Sequence, residues 1–196
     1  QRDLIAGEVS KDISRRKLIP AYIVQAHDEG AIHWHDMDYS LSPMFNCCLV
    51  NLEDMFLNGT VINEKLVEEP KSFGTACTVA TQIIAQVSSN QYGGQSITIK
   101  HLAKYLKVTE EKAFNHYLEL LGDENLAKKL SLDAKMKELK DGIQTIRYQL
   151  STLQTTNGQA PFSTIYLEIE QGHPYEEEMA LICEEMIKQR LEGMKN

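Results

Sequence analysis

The sequence predicts a helix-rich α/β protein, and three observations carry that prediction. Apolar residues recur at helical spacing through most of the chain, short runs between the helical stretches carry strand patterning, and the two patterns alternate along the sequence. Two or three strands are too few for a complete sheet, so residues 1–196 read as a single incomplete domain.

Residues 3–16 and 20–29 read as two short helices, with Pro20 opening the second where its missing N–H costs nothing and Gly30 stopping it. From Ala31 the composition turns to His, Asp, Met, Tyr and Cys, and 45–52 has the apolar content of a buried strand. Asn58 and Gly59 signal a turn, and an extended piece over 60–63 leads to Glu68, Glu69, Pro70 and Lys71. A helix over about 72–91 sets Ala76, Ala80, Ile83, Ile84 and Val87 along one face. Thr75, Thr78, Gln82, Gln86 and Ser89 form a second, polar stripe, suited to solvent or to contact with another helix or a polar ligand. The segment Asn90 to Gln95 breaks that helix with a paired glycine.

Residues 98–122 read as helical, with Thr109 as an N-cap ahead of Glu110 and Glu111. Leu132, Met136, Leu139, Ile143, Ile146, Leu150 and Leu153 then alternate spacings of four and three, a coiled-coil-like seam that can pack internally or against a second copy. Gly142 within it weakens the helix locally. Asn157 and Gly158 end that helix, and 162–170 alternates as a strand with Ile165, Leu167 and Ile169 on one face. A last helix over 175–194 carries Glu176, Glu177 and Glu178 at its start and Lys188 and Arg190 near its end, matching the helix dipole.

Composition excludes several function classes. With 28 Asp and Glu against 20 Lys and Arg, the net charge is −8, the opposite of a nucleic-acid footprint. No apolar run approaches the roughly 20 residues that span a bilayer, and the first residues do not form a signal peptide. Cys47, Cys48, Cys77 and Cys183 show neither a disulfide framework nor CxxC spacing, so a reducing cytoplasm is expected. The chain begins without Met and stops just after a helical pattern, which suggests a piece of a larger protein.

Two clusters could carry chemistry. His33 and His35, flanked by Asp36 and Asp38, point to the same side if extended, and paired imidazoles can bind a metal, as in hydrolases that begin with an HxH motif. Downstream support is lacking, because none of His27, His101, His116 and His173 stands beside an apolar strand end with a carboxylate. The other reading is histidines that hydrogen-bond the domain together. Cys47 and Cys48 are adjacent on the expected strand and face opposite ways, so at most one can face a site. Both could equally be small core hydrophobes, since no Cys-His pairing is evident. A cysteine that exchanges a hydrogen atom needs no such base.

The phrases QRDLIAGEVSK (1–11), IHWHDMDYS (32–40), MFNCCLVNL (44–52), EEPKSFGTA (68–76), QVSSNQYGGQ (86–95) and TTNGQAPF (155–162) together resemble the class III anaerobic ribonucleoside-triphosphate reductases. The resemblance runs in order along nearly the whole chain. It implies the N-terminal part of a ten-stranded α/β barrel in a glycyl-radical enzyme. There a radical stored on a C-terminal glycine passes to a cysteine on a central loop, and that thiyl removes the ribose 3′ hydrogen before water leaves from C2′. Formate is the reductant in many members, with a thioredoxin-like protein as the alternative, and a radical-SAM iron-sulfur activase makes the glycyl radical. By the same resemblance Cys47 is the active-site cysteine facing the thiyl loop and substrate ribose, with Cys48 turned into the packing. His33, His35, Asn46, Gln91 and Tyr92 become substrate-pocket candidates, and no metal is implied at the HxH motif. Glu68, Lys71 and Gln82 become candidates for a deoxynucleotide effector site at a homodimer interface. Lys71 beside a helix start suits a phosphate, since its ammonium and free N–H groups would act together. The implied ATP-sensing domain, thiyl loop, structural zinc cysteines and radical glycine have no counterpart in these residues. The chain alone is therefore expected to be inactive. Two alternatives are an HxH metal-dependent hydrolase and a dimerising nucleotide-effector module.

Overall fold

The computed structural model describes residues 2–41, 47–90, 93–153 and 161–194. By its internal contacts the chain divides into residues 1–46 and 47–196. The first unit is helical: α1 (Arg2–Ile13), a π-helical turn (Ser14–Leu18), α2 (Ala21–Asp28) and a 3₁₀ turn (Met37–Tyr39). Pro20 caps α2, and Gly30 follows it in the left-handed conformation at φ 75°. Both carboxylate oxygens of Asp28 accept from Arg15 Nη2, at 2.7 and 2.6 Å, tying the π turn to α2.

The second unit follows an αβ order: β1 (Cys48–Leu49), α3 (Leu52–Leu57), β2 (Thr60–Ile62), β3 (Lys65–Val67), α4 (Phe73–Ser89), β4 (Gln95–Thr98), α5 (Lys100–Leu121), α6 (Glu124–Thr152), β5 (Ser163–Tyr166) and α7 (Glu176–Glu192). Strands β1, β4 and β5 form one all-parallel sheet with β4 in the centre. Helices pack on one of its faces, as parallel strands with helical crossovers require. Cys48, Gln95, Ile97 and Ile165 turn to that face, where Ile97 joins a core built from Phe56, Phe73, Ala80, Ile84, Leu106, Ile143 and Met179. Gln95 is fully buried, and its amide donates to Ser88 Oγ of α4 at 2.6 Å. That bond locks α4 to the central strand. Apart from this sheet, β2 and β3 form an antiparallel hairpin whose turn residues Asn63 and Glu64 have φ of 49° and 63°, the sign that a tight two-residue hairpin demands.

Several expectations need correction. Strand β4 runs from the end of the expected breaker to the start of the expected helix, and β3 falls in a stretch to which the sequence assigns no element. Both are short, and neither has enough alternation to declare itself. Strand β5 ends at Tyr166, so Leu167 and Ile169 lie beyond it and are exposed. Thr109 is buried in the middle of α5 and is not an N-cap of its own helix. Its hydroxyl donates to the Tyr105 carbonyl at 3.0 Å and accepts the Phe73 N–H of α4 at 2.9 Å, so it caps a neighbouring helix.

The seam on α6 also drifts. Leu139, Ile143 and Ile146 are buried as expected, but Leu132 and Met136 are exposed. Buried in their place are Ala127, Ser131 and Lys135, where α5, α6 and α7 meet through charge. Lys135 Nζ lies 2.9 Å from Glu110 Oε2 and 2.8 Å from Glu178 Oε1. Gly142 has a packing reason as well as a propensity cost. A Cβ there would stand 2.7 Å from the Phe73 ring and 3.0 Å from Cys77 Sγ.

Candidate functional site

The sheet has a second face that, among the described residues of this unit, no helix covers. Backbone alternation sends Cys47, Leu49, Ser96, Thr98, Phe162, Thr164 and Tyr166 to it, because Cys48, Gln95, Ile97 and Ile165 turn the other way. The parallel register arranges them in rows. Leu49 stands opposite Ser96, and Ser96 opposite Thr164. One step earlier the ladder bonds Cys48 N–H to Gly94 C=O at 3.2 Å and Gln95 N–H to Phe162 C=O at 2.9 Å, which aligns Cys47, Gly94 and Phe162. Cys47 is exposed at the head of β1, whereas Cys48 is half-buried against the helical core. The two cysteines are thus chemically separated by their faces alone. Leu49 and Phe162 are 79% and 75% exposed, an unusual state for large apolar side chains on a sheet face.

His33 and His35 belong to the first unit. Their ring centroids are 5.6 Å apart, and His27 stands 5.6 Å from His33 on the other side. His27 Nδ1 accepts the Trp34 N–H at 3.2 Å, which leaves its Nε2 to carry the proton in the neutral ring. His35 Nε2 faces Asp36 Oδ1 at 3.3 Å. The sequence showed the HxH pair but not His27, which the helix-to-loop return brings alongside. Among the described residues no group of three or more His, Cys, Asp or Glu is arranged to hold a metal ion. Asn46, Gln91 and Tyr92 lie outside the described residues.

Glu68, Lys71 and Gln82 are all exposed. Glu68 and Lys71 sit in the connection entering α4, while Gln82 lies nine residues past Phe73, about 14 Å along the helix axis. The N–H groups at this helix start are not free for a phosphate, contrary to expectation. Phe73 N–H is taken by Thr109, Gly74 N–H by Glu138 Oε1 at 2.8 Å, Thr75 N–H by Ser72 Oγ at 3.3 Å and Ala76 N–H by the Ser72 carbonyl at 3.0 Å. A carboxylate from α6 already fills the place an anion would take. The polar stripe of α4 keeps Thr75 and Gln82 exposed and Thr78, Gln86 and Ser89 half-buried.

Comparison with known proteins places these features in context. The model of the family described as anaerobic ribonucleoside-triphosphate reductase matches residues 1–196. The chain is 40% identical to the anaerobic ribonucleoside-triphosphate reductase of Haemophilus influenzae and 39% identical to that of Escherichia coli, covering 99% of this chain and 27% of each relative. It is 38% identical to the enzyme of that name from Enterobacteria phage T4, covering 31% of that protein. The chain therefore spans about a quarter to a third of the length of these relatives. Among solved structures, the fold resembles the anaerobic ribonucleotide reductase from Thermotoga maritima in complex with dATP and CTP. The TM-score is 0.59 at 13% identity, over 94% of this chain and 31% of that one.

Proposed function

Because the chain belongs to the anaerobic ribonucleoside-triphosphate reductase family, we propose that it forms the N-terminal part of that enzyme's catalytic barrel, with the uncovered sheet face turned to the barrel interior. The observation that carries the reading is Cys47: it belongs to the NCC phrase of a family match that runs the whole chain, and it stands on the uncovered face while its neighbour is packed away. The reaction converts ribonucleoside triphosphates to deoxyribonucleoside triphosphates for DNA synthesis. In this reading β1, β4 and β5 are three of ten barrel strands.

A glycyl radical made by a radical-SAM iron-sulfur activase would, through a loop thiyl, provide for removal of the ribose 3′ hydrogen, and formate or a thioredoxin-like protein would provide the two electrons that replace the 2′ hydroxyl with hydrogen. The residues of this chain bind and orient. Cys47 presents its thiol to the ribose, and Cys48 anchors the strand by packing on the helices. Asn46, Gln91 and Tyr92 flank the same strand ends in sequence, and His33 and His35 are further pocket candidates by the family resemblance alone. The four cysteines present do not fit the structural zinc. Cys77 and Cys183 are buried on helices, and burial pushes both thiols up, away from the thiolate that zinc requires. The zinc site belongs elsewhere in the enzyme.

Effector binding by a deoxynucleoside triphosphate or ATP, with magnesium, is assigned to Glu68 and Lys71 in the connection entering α4 and to Gln82 on the exposed side of that helix, facing a second copy in a homodimer. Here Lys71 acts by charge alone. The setting is the cytoplasm; among the described residues no helix is long and apolar enough to cross a membrane.

In the full-length enzyme, Cys47→Ala abolishes nucleotide reduction and Cys48→Ala retains most of it. Equal activity of the two variants would overturn the assignment. Calorimetric titration with each deoxynucleoside triphosphate tests the effector site, and unchanged affinity in Lys71→Ala removes that residue from it.

A further inference from the structure

Gly94 is a glycine without a conformational reason. Its neighbour Gly93 has φ 114°, but Gly94 is not among the residues at positive φ, so its backbone would accept any side chain. What forbids one is Phe162. A Cβ on Gly94 would stand 2.8 Å from Cδ1 of the Phe162 ring and 3.4 Å from Cε1, closer than van der Waals contact allows. The ring therefore leans across the central strand into the space that a side chain at 94 would fill.

The position of that ring is informative. Adjacent strands lie about 4.8 Å apart, so Phe162 starts about 10 Å from Cys47 in the same row, and Gly94 is the only residue between them. By leaning over Gly94, the ring extends from its own strand toward the cysteine's side of the row. Burial does not explain this arrangement, since the ring is 75% exposed and, among the described residues of this unit, no helix lies over it. The next row, Leu49, Ser96 and Thr164, puts two hydroxyls beside the ring. A thiol, an aromatic ring, an exposed leucine and two hydroxyls within two rows make a surface that mixes apolar and hydrogen-bonding groups. A furanose ring presents that same mixture, C–H bonds on its face and hydroxyls at its edge.

We propose that Phe162, seated over Gly94, is the apolar wall against which the ribose of the substrate nucleotide lies beside Cys47, with Gly94 as the positioning residue that admits it. The inference rests on the reading of Cys47 as the active-site cysteine. Gly94 acts only through Phe162, so the two positions are energetically coupled.

The test is a double-mutant cycle in the full-length enzyme. Phe162→Ala and Gly94→Ala each raise KM for the ribonucleoside triphosphate about ten-fold with kcat changed less than about two-fold, because sugar binding is lost in ground and transition state alike. Phe162→Tyr restores the wild-type KM. Adding Gly94→Ala to Phe162→Ala has little further effect, since no ring remains to displace. Additive losses, or a fall in kcat with KM unchanged, would overturn the proposal. A melting midpoint that drops in step with activity across all variants would also overturn it, by making Phe162 merely structural. Cys47→Ala serves as the control beneath it. If that variant is dead while the cycle is additive, the wall fails alone; if it is active, the reading of the cysteine fails first.

Discussion

A lysine that is 2% exposed would ordinarily be an expensive residue, and Lys135 survives because two carboxylates meet it. Burial acts to lower its pKa, but the bonds to Glu178 and Glu110 outweigh it, and the net shift is upward. Glu110 likewise suffers desolvation, yet Lys135 and Lys107 hold it below the usual carboxylate range. The signs give a pH window. The Glu110 contribution is present above the unfolded carboxylate pKa and is lost as pH falls through the lowered folded value. The Lys135 contribution is complete below the unfolded lysine pKa and is lost as pH rises through the raised one. Stability from this cluster is therefore flat across neutral pH and falls at both extremes. Lys135→Ala leaves the buried Glu178 without its cation and Glu110 with Lys107 alone, and costs about 3–5 kcal/mol, read from urea midpoints. Gly142 offers a test of opposite intuition. Ala for Gly inside a helix usually gains about 1 kcal/mol, but the contacts with Phe73 and Cys77 make Gly142→Ala destabilising by about 1–3 kcal/mol. A stabilised Gly142→Ala protein would show that α4 and α6 can separate without loss.

At the scale of elements, the long helices and the two edge strands of the sheet were legible, whereas the central strand and the short α3 were not. The helix over 72–91 and the one over 175–194 are found within about two residues of their expected ends, because apolar periodicity persists over many turns. Strand β4 has four residues, and its most buried member is Gln95, so it has no apolar signature to read. Thr109 shows a different failure. Its residue type announced a helix start correctly, but the start belongs to α4, distant in sequence. Leu132 and Met136 fit a heptad, yet the buried face of the first half of α6 is polar and paired across helices, which no single-helix pattern reveals. Of the candidate site, Cys47 was singled out by the family phrase, whereas the row with Gly94 and Phe162 depends on strand register, and the neighbourhood of His27 on a chain return. The capping arrangement predicts that Thr109→Val, which removes the acceptor of the buried Phe73 N–H, costs about 1–3 kcal/mol. A urea titration with unchanged midpoint would place that cap among dispensable contacts.

The second unit as a whole keeps its helical face closed and its other sheet face open. Both sheet edges, β1 and β5, lack a paired neighbour among the described residues. Beside β5 runs a groove of about 460 Å³ lined by residues including Leu150, Pro161, Ile165, Met186 and Arg190. Unpaired edges and exposed Leu49, Phe162 and Tyr166 favour association of the isolated chain. Sedimentation of the 196 residues is expected to show mass rising with concentration, and dye binding to exposed apolar surface should fall in parallel. A monodisperse monomer at high concentration would mean these edges are protected. The register of the sheet carries a kinetic consequence as well. Cys48 pairs with Gln95, and Gln95 with Ser163, so every rung waits for a long loop to close, while α5 and α6 meet through the short turn at Gly122. The helical hairpin should form early and the sheet last. Substitutions in the Cys47 row should then leave refolding rates unchanged and show themselves as faster unfolding.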